Sequence, residues 1–137
     1  MTARRSPWRR GRTRPEGVPE IRAAMTEDDL LIGLIGDGRR PGALQRAGFL
    51  VHHIRRADLA QQMGDPGFPD IVAAHVNDGR LIVVELKSDR GRFEPGQPEW
   101  LAAFRAAGVD TREIWPEDYD ALIEELTGDR LVARGRR

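Results

Sequence analysis

Asp70, Glu85 and Lys87 are the residues whose types and spacing best suit chemistry in this chain. Asp70 stands between Pro69 and the apolar run Ile71-Val72, and Glu85-Leu86-Lys87 closes the run Leu81-Ile82-Val83-Val84. Between the two runs lies Asn77-Asp78-Gly79-Arg80, and Asp-Gly flanked by β-branched runs is a strong hairpin signal. A two-residue Asp78-Gly79 loop sets Asn77 opposite Arg80, Val76 opposite Leu81, Val72 opposite Glu85 and Asp70 opposite Lys87. Strand alternation then turns Asp70, Lys87 and the diagonal neighbour Glu85 to one side. The two carboxylates and the Leu86 carbonyl between Glu85 and Lys87 are hard oxygen ligands for Mg²⁺ or Mn²⁺, ions that also accept phosphate oxygens. Water activated by such an ion beside a lysine is a nucleophile for a phosphodiester. The constellation predicts metal-assisted phosphodiester hydrolysis.

The plain alternative is a solvated hairpin end with an incidental salt bridge, which contributes little. Composition weighs against it. Of the 22 basic residues, Lys87 is the one lysine and the other 21 are arginine. A lysine can act as a compact point charge or give up its proton when partly buried, and an arginine fork cannot. Gln97 opens a segment that Pro98 marks as a helix start, beside the cluster, and is suited to hold a phosphate or Lys87.

The elements that must position these residues follow from the rest of the chain. Thr26-Glu27-Asp28-Asp29 before Leu30-Leu31-Ile32 reads as an N-cap and an acidic first turn opening an apolar helix. Gly36 to Gly42 interrupts it, and a short helix over residues 43–47 resumes it. Residues 48–54 form a turn and a first strand carrying His52 and His53, which suit a structural or surface role better than a catalytic one. In the functional alternative, His53 or Arg55 contacts phosphate. Residues 56–66 form a loop just before the cluster, and the loop after Lys87 holds Arg90 and Arg92 close to it. Trp100, Leu101 and Phe104 share a face of the next helix and are expected in the core. Residues 109–115 alternate as a strand, and a last helix from Pro116 ends at Gly128.

Pro69-Asp70 followed by Glu85-Leu86-Lys87 resembles the PD-(D/E)xK nuclease signature. With Gly67-Phe68 before it and Gln97-Pro98-Glu99-Trp100-Leu101 after it, the chain is similar to the VRR-NUC (virus-type replication-repair nuclease) branch from about Met25 to Leu126. The resemblance implies an α/β restriction-endonuclease-like core (α-β-β-β-α-β), a mixed sheet flanked by helices. It also implies a catalytic set of Asp70, Glu85, Lys87 and Gln97, with Mg²⁺ (or Mn²⁺) held by Asp70, Glu85 and Leu86. By the same resemblance a glutamate of the first helix completes the metal site; Glu27 is the matching position and Asp28 a near alternative. His53 matches a histidine that commonly ends the first strand. The break at residues 36–42 departs from the uninterrupted first helix of the family.

The chain's 137 residues fit one domain over 25–127, between a basic tail at 1–24 and a basic C-terminal tail at 128–137. The formal net charge is zero, but residues 1–24 carry seven Arg against Glu16 and Glu20, a net +5, balanced by −5 in the remainder. That segment has no apolar periodicity and is expected to be disordered. Either it adds salt-dependent affinity for phosphate backbones, or Met25 is the true start. No cysteine is present, so thiolate metal sites and disulfides are excluded. No apolar run approaches a membrane span and no signal-peptide core is seen, so a cytoplasmic location is expected, in the host if the protein is phage-encoded.

With the site chemistry above, the resemblance implies a structure-selective, Mg²⁺-dependent DNA endonuclease of the Holliday junction resolvase type, in phage or bacterial replication and repair. One site per small chain implies a homodimer to cut two strands. A catalytically silent nucleic-acid-binding module of the same fold, or a nuclease subunit of a restriction or mobile-element system, is the alternative.

Overall fold

The computed structural model describes residues 24–54, 63–88 and 93–135. Its elements run α1 (Glu27–Ile35), α2 (Ala43–Arg46), β1 (Phe49–His52), β2 (Ile71–His75), β3 (Leu81–Leu86), α3 (Gln97–Ala106), β4 (Asp110–Ile114), a 3₁₀ turn (Pro116–Asp118) and α4 (Tyr119–Gly135). The strands form one sheet in the order β1-β2-β3-β4, antiparallel except for the parallel β3–β4 pair. This is the expected α/β mixed sheet flanked by helices, consistent with a restriction-endonuclease-like core. Apart from Ala24, a turn residue, the basic segment 1–24 lies outside the described residues. Among the described residues, no helix is long and apolar enough to cross a membrane.

α1 starts where the capping chemistry is. Thr26 Oγ1 accepts from the Asp29 amide at 3.1 Å and Asp29 Oδ2 accepts from the Thr26 amide at 2.9 Å, so two amides at the helix start are satisfied reciprocally. Gly36, at φ +79°, ends the helix, and Asp37 Oδ1 then takes the Arg39 and Arg40 amides at 2.9 Å each. The predicted interruption is therefore a built turn.

Register and alternation assign the two faces of the sheet. Phe49, Ile71, Ala73, Ile82, Val84, Leu86 and Ile114 point inward and bury against Leu30 and Leu34 of α1, Leu44 of α2, and Leu122 and Leu126 of α4. The opposite face carries Leu50, Ala74 and Leu81 in one registered row, and Val83, Glu85, Thr111 and Glu113 further along, where α3 packs against β4. The site lies on that second face.

Three expectations are corrected. β2 and β3 pair as Ile71↔Val84 through Ala74↔Leu81, two residues away from the predicted register, around a four-residue loop over 76–79. A two-residue type I′ turn needs positive φ at both central positions, and here Gly79 alone has it. The loop instead wraps the buried His75 ring, whose Nδ1 accepts the Asn77 and Asp78 amides at 3.2 Å each. A shift of two keeps every side chain on its predicted face, where a shift of one would have reversed them.

The last helix continues through Gly128 to Gly135. Gly128 does not take the left-handed conformation that a glycine stop uses, and an interior glycine costs only about 1 kcal/mol relative to alanine. Of the three apolar residues expected in the core from α3, Leu101 is buried, but Trp100 and Phe104 are half-buried and lie outside the main cluster. They stack on each other at 5.7 Å between centroids, and Phe68 meets both edge-on. α3 packs over β4 on the outer face, so its aromatic side finds the loop before β2 in place of the inner core.

Candidate active site

Extending the β2–β3 register by one residue sets Asp70 opposite Glu85, and Lys87 follows two residues on along the same face. Asp70 Oδ2 accepts the Leu86 amide at 2.7 Å, which ties the carboxylate to the end of β3. The N–H and C=O of one strand residue point to the same edge, so the Leu86 carbonyl faces the Asp70 side. Glu85 and Lys87 are nearly inaccessible, at 1% and 3% exposure, with Lys87 Nζ 3.8 Å from Glu85 Oε1.

Gln97 joins them. It is the first residue of α3, with Gly96 as the cap, so its side chain is free to turn into the cluster. Its Oε1 accepts from Lys87 Nζ at 2.9 Å and from the Glu94 amide at 2.7 Å, and its Nε2 donates to Glu85 Oε1 at 3.0 Å. One amide thereby fixes both ionisable partners. The ammonium also lies 4.7 Å from the Phe93 ring centroid.

Burial pushes the Glu85 carboxyl up to about 9, and the neighbouring Asp70 charge adds to the rise while Lys87 opposes it. Among the described residues Glu85 Oε2 is buried with no N–H or O–H donor against it, and the Glu85 and Asp70 carboxyls lie within hydrogen-bond reach of each other. A buried carboxyl oxygen left without a donor, beside a second carboxylate and a carbonyl, suits a hard divalent cation. Among the described residues no three His, Asp or Glu side chains form a ready-made cage. Two carboxylates with a carbonyl, and waters completing the shell, is how Mg²⁺ is usually held.

Glu27 stands at the start of α1, on the exposed side of the cluster. Its carboxyl is raised by partial burial and by Asp70 and Glu94, and lowered by Lys87 and by a backbone hydrogen bond from Ser88. Its charge is therefore felt by Asp70 and Lys87, but among the described residues Glu27 does not close on Asp70 and Glu85 as a third carboxylate. Asp28 instead lines a separate groove with Ile32, Ile35 and His52. His53 lies in the cleft, its Nδ1 2.6 Å from the Asp70 carbonyl oxygen. A ring that donates from Nδ1 to that carbonyl leaves Nε2 as an acceptor when neutral. Arg55, Arg90 and Arg92 lie outside the described residues.

The cleft itself, about 170 Å³, is lined by His52 to Ile54, Gly67 to Asp70, Glu94 and Gln97. Its geometry depends on residues the sequence reading gave no role. Gly67 and Gly96, at φ +94° and +89°, cross so closely that a Cβ on Gly67 would lie 2.4 Å from the Gln97 amide nitrogen, and one on Gly96 2.1 Å from the Pro66 carbonyl oxygen. This crossing presses the Asp70 loop against the start of α3. The signal was present as two Pro-Gly pairs, Pro66-Gly67 and Pro95-Gly96.

The model of the VRR-NUC domain matches residues 44–114, from α2 to the end of β4, more than half of the chain. The match holds Asp70, Glu85, Lys87 and Gln97; α1 with Glu27 lies outside it, so the span is shorter than the sequence resemblance implied. Comparison with curated proteins and with solved structures gave no match.

Proposed function

This chain belongs to the VRR-NUC domain family, which implies nuclease activity, and on that premise we propose that it is a Mg²⁺-dependent endonuclease of structured DNA. The observation that carries the reading is the Asp70–Glu85–Lys87–Gln97 cluster, in which Glu85 and Lys87 are buried, Asp70 and Gln97 are half-buried, and Glu85 Oε2 meets no donor among the described residues. Asp70, Glu85 and the Leu86 carbonyl would hold the ion, with Glu27 beside them. The ion supplies charge neutralisation at the phosphate and a more acidic water. Lys87, held by the Gln97 carbonyl, presents its ammonium to a phosphate oxygen or to the attacking water. The water oxygen bonds to phosphorus as the bond to the leaving sugar oxygen breaks, the proton of the attacking water passing to solvent and the sugar oxygen taking one from it. Gln97 keeps Lys87 and Glu85 in fixed relation, so this geometry needs no assembly when substrate arrives.

Branched DNA of the Holliday junction type, in phage or bacterial replication and repair, is the proposed substrate. Cutting two strands in such DNA calls for two sites, hence a homodimer. The outer face beside the site offers a surface for it: Leu50 is 69% exposed, Val76 57% and Leu81 39%, with Ala74 between Leu50 and Leu81. Incubation with linear, flapped, nicked and four-way DNA in Mg²⁺ tests the reading, with Glu85→Gln as control. Cleavage that is equal in the two proteins, or absent from the wild type on every substrate, overturns it.

A further inference from the structure

Phe68 stands out once the site is assembled. It is 42% exposed, yet it forms part of the cleft wall, two residues before Asp70. Resting on the nuclease reading above, we propose that Phe68 is a stacking platform for an unpaired nucleobase next to the phosphate that is cut, and so a determinant of the preference for branched over fully paired DNA.

Position is the first argument. Two residues of chain span at most about 7 Å. A base is separated from its own phosphate by one sugar, so a nucleotide whose phosphate meets Asp70 and Lys87 can bring its base over Phe68. Rigidity is the second. Phe68 meets Trp100 at 5.0 Å and Phe104 at 6.0 Å between centroids, edge-on at 76° in both cases, and those two rings stack on each other. Its backbone is pinned on one side by the Gly67 crossing against Gly96 and on the other by the fixed φ of the buried Pro69. A ring held this way gives contact area with little ordering cost on binding.

The chemistry of the ring selects the occupant. Phenylalanine has no donor or acceptor with which to read a groove edge, so its offer to nucleic acid is a π face. In a duplex both faces of a base are covered by its neighbours, whereas an unpaired base at a branch or flap has a face to give. Nor does the fold require an aromatic here for its core, which lies on the opposite side of the sheet.

The test uses the full chain and DNA carrying 2-aminopurine, a fluorescent base quenched by stacking, at the unpaired nucleotide beside a branch. Binding is followed in EDTA, so the readout needs no cleavage. The wild type should quench the probe; Phe68→Leu, which keeps an apolar side chain against Trp100, should not; Phe68→Tyr should restore quenching. In Mg²⁺, the kcat/KM ratio for flapped over fully paired DNA should fall roughly ten-fold in Phe68→Leu, the range expected for loss of one stacked base. An unquenched probe with the bound wild type, or a ratio unchanged in Phe68→Leu, overturns the proposal. Wild type that quenches the probe but cuts no DNA removes the nuclease reading and leaves the stacking platform standing.

Discussion

Glu85 shows what a carboxyl gives up to sit at 1% exposure beside another carboxylate. Folding raises it from the ordinary 4.5 to about 9, so between those values the unfolded chain has released a proton that the folded chain keeps. Unfolding then releases a proton, and rising pH favours the unfolded state. Thermal melts of metal-free protein should show stability declining from about pH 4.5 toward pH 9, and Glu85→Gln should flatten that decline while abolishing cleavage. Equal pH slopes in the two proteins would count against the burial argument. Lys87 lends itself to a second substitution at this scale. Its ammonium lies against Gln97 Oε1, Glu85 and the Phe93 ring, contacts set for a compact cation. Lys87→Arg keeps the charge but puts a planar fork among those contacts. Single-turnover cleavage should drop by about a hundred-fold or more, a typical loss for a group acting on the reacting water, with circular dichroism unchanged.

The loop before β2 and the start of α3 act as one unit, because Gly67 and Gly96 let two backbones touch. Gly96→Ala demands a Cβ 2.1 Å from the Pro66 carbonyl oxygen at φ +89°, and should cost about 1–3 kcal/mol by urea unfolding. It should also reduce cleavage by more than the unfolded fraction explains, since Gln97 moves with Gly96. A variant as stable and active as wild type would show that the crossing does not set the site. This element also marks the limit of what was legible. The convergence of Asp70, Glu85, Lys87 and Gln97 could be read because each stands at a strand or helix end where period and punctuation speak. The hairpin register could not: Asp78-Gly79 spells a two-residue loop, and the longer loop depends on the His75 ring taking the Asn77 and Asp78 amides, a contact no local pattern announces. The even shift kept the site residues on one face, so their convergence survived the wrong pairing. Gly128 spoke as a stop and was overruled, since composition cannot say whether a glycine takes left-handed φ.

Among the described residues the molecule buries one face of its sheet under three helices and leaves the β1–β2 half of the other face open. Its charge is divided as well: residues 1–24 carry +5 and the remainder −5, so a DNA-binding segment would have to bring phosphate to a net acidic domain. Deleting 1–24 should lower the slope of log affinity against log salt, because fewer counterions leave the phosphates, and should leave the melting temperature unchanged. An unchanged slope would leave that segment without a role in binding. The open face leads to the last expectation. Leu50, Ala74 and Leu81 run across three strands in register, an apolar row that continues along β2 through Val72 toward Asp70. Apolar area laid next to the candidate cleft is best covered by something that also needs to be there, and a second copy would bring the second site that the proposed two-strand cutting requires. Leu50 is already 69% exposed, so Leu50→Glu should change monomer stability by no more than about 0.5 kcal/mol. In an isologous dimer it places a charge on each side of the same contact and should convert the sedimenting species from dimer to monomer. Four-way DNA should then be nicked on one strand per encounter, with paired cuts lost while the single-strand rate persists. A wild type that sediments as a monomer throughout, yet makes paired cuts in one encounter, would rule out this face as the dimer contact and the dimer as the source of the second cut.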